Sequence, residues 1–341
     1  MAARARRYLG GTAATRRRHG PIGQAAALAV LAVLVAVLAG GCGSESSAAP
    51  GLIDAARPSS RQPSGSGARR AKVASAKPVS SAPLVSAPGA LGPSWRPVAT
   101  VAGQPAAWIA QRAGTTLMRF DQRAVHLALH AGTAEPSGSG WVDAGQIGRR
   151  EIHRVLAAFN GGFKLSYGSV GFMANGRVGV PLASGLGSIV TYSDHSTQIG
   201  AWHAGVPARA SKIVSVLQNL GLLVDHGVPA RTVEGCATAC WGSTLGGGTD
   251  VPRSALGITG EGQLVWAAGT SLSPAALARA LVSAGVQRAV ELDINPQWVA
   301  GYLYVHRPGG PAAVPVVPGQ HGIAGELLAP YSRDFFTILA N

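Results

Sequence analysis

The chain has 341 residues, of which 47% are hydrophobic, and a formal net charge of +14. Most of this charge lies before residue 78, because residues 93–341 hold only 17 of the 29 Lys and Arg residues, against 13 acidic ones. A balance of +4 over that part is an ordinary solvated surface and argues against nucleic-acid binding, while the length allows a sizeable hydrophobic core.

Residues 1–42 have the layout of an export signal. Residues 19–44 contain no Asp, Glu, Lys or Arg, and residues 25–39 are almost wholly Ala, Leu and Val behind an Arg-rich start. This pattern is typical of a secretory signal and predicts that the C-terminal part lies outside the cytoplasm. Small residues precede Cys42, as before the acylated cysteine of bacterial lipoproteins, although Ala39 stands where a lipobox has leucine. An uncleaved membrane span and a soluble secreted protein are the alternatives.

Residues 43–92 are rich in Ser, Ala, Pro and Gly and contain few large apolar residues. Such a segment cannot bury enough apolar surface to offset its chain entropy, so we expect a disordered spacer. The folded part is then a single globular domain over residues 93–341. We predict the α+β class, with a mixed, largely antiparallel β-sheet and a few helices, because short apolar runs alternate there with Gly, Asn, Asp and Ser.

The predicted elements of this domain follow from local patterns. Asn175-Gly176 between apolar residues predicts a hairpin, and a second hairpin is predicted around residues 193–196. Ser273 and Pro274 begin a predicted helix that Gly285 ends. The predicted strands are 125–129, 153–160, 172–173 with 178, 188–192, 197–202, 213–217, 222–224, 255–258, 264–267 and 288–294.

Two of the three cysteines, Cys236 and Cys240, remain once Cys42 is assigned to the anchor. In an oxidising compartment, two cysteines four residues apart predict a local disulfide. With no His or third Cys nearby, they are a poor zinc site.

The first candidate site is Asn160-Gly161-Gly162, with Lys164 close behind. Glycines allow backbone N–H groups to approach an anion, and the Asn amide and the Lys ammonium add donors. The alternative is a glycine turn with a solvated lysine.

The second candidate site is Glu291 with Asp293, on a predicted strand. Residues two apart on a strand share a face roughly 7 Å apart, so the two carboxylates would shift each other's pKa, as general acid and base require. Most glycosidases also use a pair of carboxylates to cleave the glycosidic bond. The alternative is an exposed strand face or an Arg partner for these residues.

A series of short motifs occurs in a fixed order between Trp95 and the end of the chain. The series comprises Ala157-Ala158-Phe159-Asn160-Gly161-Gly162-Phe163, Gln218-Asn219, Leu222-Leu223-Val224-Asp225, Arg253-Ser254-Ala255-Leu256-Gly257-Ile258-Thr259, Glu261-Gly262-Gln263-Leu264-Val265, Ala289-Val290-Glu291-Leu292-Asp293 and Ser332-Arg333-Asp334-Phe335-Phe336. In this order they resemble the phosphodiester glycosidase family, which includes the domain of the mannose-6-phosphate uncovering enzyme. That family hydrolyses the bond between a sugar's anomeric carbon and a phosphodiester.

The resemblance implies a role for each matching residue. Asp293 would be the catalytic carboxylate, and Asn160 a polar donor at the reacting centre. From the paired-carboxylate pattern, and not from the resemblance, Glu291 is a further candidate for acid-base catalysis. Arg253 would be a phosphate clamp. The residues expected to bind substrate are Gly161, Gly162, Lys164, Arg253, Asn219, Asn295 and Trp298.

One departure from the family pattern follows Asp293. Family members continue with glycines and serines, whereas this chain has Ile294-Asn295-Pro296-Gln297-Trp298. Pro296 has no N–H, so this loop cannot wrap a phosphate with backbone donors. Either Trp298 is a sugar-stacking platform for a different substrate, or hydrolysis has been lost.

The sequence therefore predicts a membrane-tethered, extracytoplasmic hydrolase that acts on a sugar phosphodiester or a related glycan. The alternative is a non-catalytic envelope domain that binds a glycan or a protein. A divalent cation is left open, since Asp293 and Asn295 supply only two oxygen ligands.

Overall fold

The computed structural model describes residues 92–208, 211–244 and 246–341. The predicted export segment with Cys42, and residues 43–91 of the predicted spacer, lie outside the described residues. In the described ranges, no helix combines the length and the apolar character needed to span a bilayer.

The largest sheet has eight strands in the order β1-β2-β3-β14-β13-β15-β11-β12. Its strands are β1 (Arg96–Val101), β2 (Gln104–Arg112), β3 (Thr115–Phe120), β11 (Leu222–Asp225), β12 (Val228–Pro229), β13 (Val251–Thr259), β14 (Leu264–Leu272) and β15 (Val286–Glu291). Every neighbouring pair in this sheet is antiparallel.

Two five-stranded sheets complete the β-structure of the described residues, and their strand pairs are also antiparallel. The second sheet has the order β7-β6-β10-β8-β9, with β6 (Val170–Ala174), β7 (Arg177–Val180), β8 (Gly187–Tyr192), β9 (Thr197–Ala201) and β10 (Ile213–Asn219). The third has the order β17-β16-β5-β18-β4, with β4 (Val125–His130), β5 (Val155–Asn160), β16 (Gly301–Arg307), β17 (Gly310–Pro315) and β18 (Phe335–Ala340).

The helices are few and short. They are α1 (Thr232–Gly235), α2 (Ala237–Cys240), α3 (Pro274–Ser283) and a 3-10 turn at Glu326–Leu328. The predicted helix is confirmed as α3: the Ser273 side chain accepts the Ala276 N–H at 3.1 Å, and Gly285 follows with a φ of 85°. Because β14 and β15 both run antiparallel to β13, α3 connects two parallel strands that have β13 between them.

Strong local signals also placed the hairpins correctly. Asn175 and Gly176 join β6 to β7 with φ values of 52° and 76°, the left-handed pair that a tight hairpin turn requires. The turn at residues 193–196 joins β8 to β9 as predicted.

The fold-class prediction was right about antiparallel strands and few helices but wrong about a single mixed sheet. Within the described residues the strands form three sheets, every strand pair is antiparallel, and the fold is mainly β. The sequence signals gave each hairpin locally, but the partner of a strand far away in sequence depends on packing between sheets.

The main core packs the sheets against one another. Phe159 of β5 stacks on Trp266 of β14 with ring centroids 5.3 Å apart, and it packs at a tilt against Phe336 of β18 at 5.7 Å. Phe159, Trp266 and Phe336 are completely buried. This packing brings the end of β5, the start of β18 and the end of β15 together, and the candidate site lies there.

Candidate active site

An open cleft of about 820 Å³ lies where these three strand ends meet. Two carboxylates, two cations and three aromatic side chains line it: Glu135, Asp293, Lys164, Arg333, Phe163, Tyr167 and Trp298.

Asp293 lies two residues beyond the end of β15 and is 4% exposed. Its Oδ1 accepts the backbone N–H groups of Ile294 at 2.7 Å and Asn295 at 2.8 Å, and its Oδ2 accepts from Arg333 Nη2 at 3.1 Å. Burial raises the pKa of Asp293 to about 6, because it outweighs the opposing effect of Arg333 and of the two N–H groups. Asp293 can therefore exchange a proton near neutral pH.

Arg333 precedes β18 and contacts both carboxylates of the cleft. Its Nε lies 3.3 Å from Glu135 Oε2, and its Nη2 donates to Asp293 Oδ2 and, at 3.0 Å, to the carbonyl of Gly162. Its guanidinium carbon lies 5.3 Å from the centre of the Trp298 ring. The planar fork of an arginine suits this multiple contact.

Glu135 is the second carboxylate of the cleft, and its side chain is 15% exposed. Its Oε2 also accepts the backbone N–H of Leu165 at 3.0 Å. Neither Glu135 nor the role of Arg333 was predicted from the sequence. A charged Arg333-Asp334 pair directly before an apolar strand was the signal available for Arg333, whereas no local pattern marks Glu135.

The glycine turn after β5 does not face the cleft as an anion site. Gly161 N–H donates to the Asp334 carbonyl at 3.0 Å, and Gly162 N–H donates to Asp334 Oδ2 at 3.0 Å. One N–H group of the turn thus binds a carboxyl group of the same chain, where a substrate anion was predicted. Asp334 is 1% exposed, and burial raises its pKa to about 7.

Asn160 and Asn219 are buried and hold neighbouring backbone in place. Asn160 Nδ2 donates to the Ser254 hydroxyl and to the Gly161 carbonyl, both at 2.9 Å. Asn219 Oδ1 accepts the Phe163 N–H at 3.2 Å, and its Nδ2 donates to the Glu291 carbonyl at 2.7 Å. Neither side chain lines the cleft, so the geometry favours structural roles over the predicted catalytic and substrate-binding ones.

Arg253 and Glu291 form a buried ion pair away from the cleft. Both side chains are 0% exposed, and Arg253 Nη1 lies 2.8 Å from Glu291 Oε1. Glu291 and Asp293 do not share a strand face, because β15 ends at Glu291 and the alternation of side chains does not continue to Asp293. The predicted electrostatic effect is present at Glu291, since burial and, to a smaller extent, the charge of Asp293 raise the pKa of Glu291. Arg253 cannot reach a substrate phosphate in the cleft, and of the predicted carboxylate pair only Asp293 faces it.

Three of the predicted substrate-binding residues do line the cleft: Lys164, Asn295 and Trp298. Lys164 and Asn295 are exposed, and Trp298 is half-buried with its ring edge-on to Tyr331 at 6.0 Å. The exposed Tyr167 adds an aromatic ring that the sequence analysis did not single out.

The predicted disulfide is present, with Cys236 and Cys240 joined across the short helix α2. Ala239, inside this disulfide loop, lines the cleft. In the part of the chain that the structure describes, no group of three or more His, Cys, Asp or Glu side chains is placed to hold a metal ion.

A second depression, of about 890 Å³, is lined by Arg123, Glu261 and Arg288 among others. Arg123 and Glu261 are exposed there, and charges in solvent interact weakly. The buried Asp293 and Arg333 make the cleft the better candidate, although it is slightly smaller.

The sequence matches no known family profile. It also matches no curated protein. Among solved structures, the chain is similar to the catalytic domain of zebrafish N-acetylglucosamine-1-phosphodiester α-N-acetylglucosaminidase auto-inhibited by its pro-peptide, at 14% identity and a TM-score of 0.43, over 74% of this chain and 89% of that one. It is also similar to a Synechocystis protein, at 13% identity and a TM-score of 0.37, over 72% of this chain and 64% of that one. The likeness is a distant one of fold alone, and the family drawn from the sequence motifs stays a prediction.

Proposed function

We propose that this chain is an extracytoplasmic hydrolase that cleaves the bond between a sugar's anomeric carbon and a phosphodiester oxygen. Water would supply a hydroxyl group to the sugar and a proton to the departing phosphate monoester. The observation that carries the proposal is the Glu135–Arg333–Asp293 arrangement, in which one guanidinium contacts two carboxylates on the floor of an open cleft.

Asp293 is the proposed general acid. Its pKa of about 6 lets a substantial fraction be protonated in mildly acidic conditions. A phosphate monoester takes up its second proton with a pKa of about 6, so the proton affinities of Asp293 and of the leaving oxygen are matched. Matched proton affinities favour proton transfer in the transition state.

Glu135 is the proposed general base that activates the attacking water. Glu135 Oε2 lies 3.3 Å from Arg333 Nε, and Asp293 Oδ2 lies 3.1 Å from Nη2 of the same guanidinium. The two contacting oxygens are therefore at most about 9 Å apart, which does not exceed the largest carboxylate separations in glycosidases.

The charge of the cleft also suits a phosphodiester. Arg333 and Lys164 offset Glu135 and Asp293 when both carboxylates are ionised. Once Asp293 is protonated the cleft carries one net positive charge, which matches the single negative charge of a phosphodiester. Substrate binding and the acid form of Asp293 would then favour each other.

Export and tethering are part of the proposal and rest on the first 42 residues. The apolar run before Cys42 supports transfer of the domain across a membrane, with acylation of Cys42 as its anchor. A fatty-acid probe that labels the wild-type chain but not Cys42→Ser supports the lipid anchor. Equal labelling of both chains refutes it.

The activity test uses the full-length chain in detergent and a panel of alkyl phosphodiesters of hexose and N-acetylhexosamine 1-phosphates. Release of alkyl phosphate and free sugar is the expected result, with Asp293→Asn and Glu135→Gln each lowering kcat/KM at least about 100-fold. The control is Asp225→Asn, which removes another carboxylate paired with an arginine, remote from the cleft. A wild-type chain that binds members of the panel without cleaving any supports the glycan-binding alternative, and an unimpaired Asp293→Asn refutes the proposed mechanism.

A further inference from the structure

The buried guanidinium of Arg253 is bound to backbone from three places in the chain. Its Nε donates to the Leu272 carbonyl at 2.9 Å, its Nη1 to the Trp241 carbonyl at 2.9 Å, and its Nη2 to the Thr249 carbonyl at 3.2 Å. Glu291 balances its charge. Every nitrogen of the guanidinium is therefore engaged inside the protein.

Two of these carbonyls, those of Trp241 and Thr249, lie on either side of residues that line the cleft. Residues 242–244 line the cleft, and they begin directly after Trp241. Gly242 packs closely on two other cleft residues, since a Cβ atom placed on it would lie 2.8 Å from both Ile294 and Phe163. The disulfide between Cys236 and Cys240 closes the chain just before this segment.

Arg253 restrains this segment at both ends. Trp241 is buried, but residues 246–250 are exposed. Hydrogen bonds from a charged donor are stronger than those between neutral groups, so the contacts of Arg253 with the carbonyls of Trp241 and Thr249 hold the chain on either side of residues 242–244.

We infer that Arg253, held by Glu291, is a positioning residue that fixes the cleft wall formed by residues 242–244 and so sets the fit of the substrate. Ser243 and Thr244 bring two hydroxyl groups to this wall, which can hydrogen-bond sugar hydroxyls or phosphate oxygens. The part of this inference that concerns substrate fit rests on the proposed function. The part that concerns the position of the wall is independent of it.

Lysine cannot replace Arg253 in this role. An ammonium group keeps the charge but has three donors around one nitrogen, and it cannot span carbonyls that bind opposite ends of a planar fork. Arg253→Lys therefore keeps the pairing charge for Glu291 while it loosens the wall.

The test combines amide hydrogen exchange with kinetics on the full-length chain. For Arg253→Lys we expect at least tenfold faster exchange in residues 242–250, a KM about tenfold higher on the cleaved phosphodiester, and a kcat within about threefold of wild type. The control is Arg279→Lys, which alters an exposed arginine paired with Glu234 of α1 and should change none of these values. Unchanged exchange overturns the inference, and so does a loss confined to kcat, because a loosened substrate-binding wall should change KM.

Hydrogen exchange needs no substrate, so it decides the positioning role even if no phosphodiester is cleaved. Should Arg253→Lys fail to fold, the double variant Ser243→Ala with Thr244→Val alters only the wall. It should raise KM about tenfold and leave kcat unchanged, and an unchanged KM overturns the role of the wall in substrate fit.

Discussion

The carboxylate of Asp334 accepts the backbone N–H of Gly162 at 3.0 Å, and the carbonyl of Gly162 accepts from Arg333 Nη2 at the same distance. Two consecutive residues directly before β18 thus bind the N–H and the carbonyl of one glycine. The glycine turn orients the arginine that faces the cleft, and Asp334 holds the turn. The turn contributes to the site through Arg333, without contacting a ligand itself.

Gly161 should tolerate no side chain, because of this internal carboxylate. A Cβ atom at Gly161 would overlap Asp334 Oδ2 and lie 2.7 Å from the Asp334 carbonyl oxygen. Gly161→Ala should therefore lower the free energy of unfolding by about 3 kcal/mol or more, measured by urea denaturation.

Gly162→Ala is the matched control, because a Cβ atom there would lie 3.5 Å from its nearest neighbours, an ordinary contact. We expect this variant to lose less than about 1 kcal/mol. Equal stability losses at the two positions would contradict the packing of Asp334 against Gly161.

Asp334 should also make stability depend on pH. Its folded pKa of about 7 lies above the ordinary value of 3.8, so between these values the native chain binds more protons than the unfolded one. The contribution of Asp334 to the free energy of unfolding is thus complete below about pH 4. It declines as the pH rises to about 7, by at most about 1.4 kcal/mol per pH unit. Asp334→Asn keeps an acceptor for Gly162 and should remove this part of the slope in urea titrations from pH 4 to 8. A slope identical to that of the wild type would contradict it.

The sequence predicted those parts of the fold that local signals determine. Asn175-Gly176 and the Ser273 cap of α3 have their observed roles because turn and cap geometry depends on a few adjacent residues. The site depends on contacts between distant segments instead. Glu135 and Arg333 meet across 198 positions of sequence because β18 pairs with β4, and the chain after β4 continues this contact where the Glu135 N–H donates to the Ser332 carbonyl. The charge pattern of a single segment does not reveal such a pairing.

Activity should fall as the pH rises through about 6. Asp293 must carry a proton to act as the general acid, and its raised pKa places the loss of that proton near pH 6. Above this pH, kcat/KM should decrease about tenfold per pH unit. A profile of initial rates from pH 4 to 9 measures this limb, and a rate that rises through pH 6 would rule out the acid role.

Arg333→Gln should move the decrease in kcat/KM, the basic limb of the pH profile, to higher pH. The Arg333 guanidinium lowers the pKa of Asp293, so its removal leaves burial less opposed. We expect the limb to shift upward by roughly one pH unit or more. Arg177→Gln is the control, since Arg177 also lies over a tryptophan ring, Trp141, but contacts neither carboxylate of the cleft. Equal limbs in wild type and Arg333→Gln would show that Arg333 does not tune Asp293.

Trp298 should act on substrate binding more than on chemistry. Its half-buried ring lies in the cleft beside Arg333, where it can stack on the apolar face of a sugar. Trp298→Ala should raise KM about tenfold, while kcat changes less than about threefold, because the stack is the same in the ground and transition states. Trp108→Ala removes a similar tryptophan, packed on Arg119 at 4.8 Å in the largest sheet and away from the cleft, and it should leave KM unchanged. If both variants raise KM equally, the effect is a general loss of packing, and Trp298 does not stack on the sugar. If Trp298→Ala lowers kcat alone, the ring acts by holding Arg333 in place.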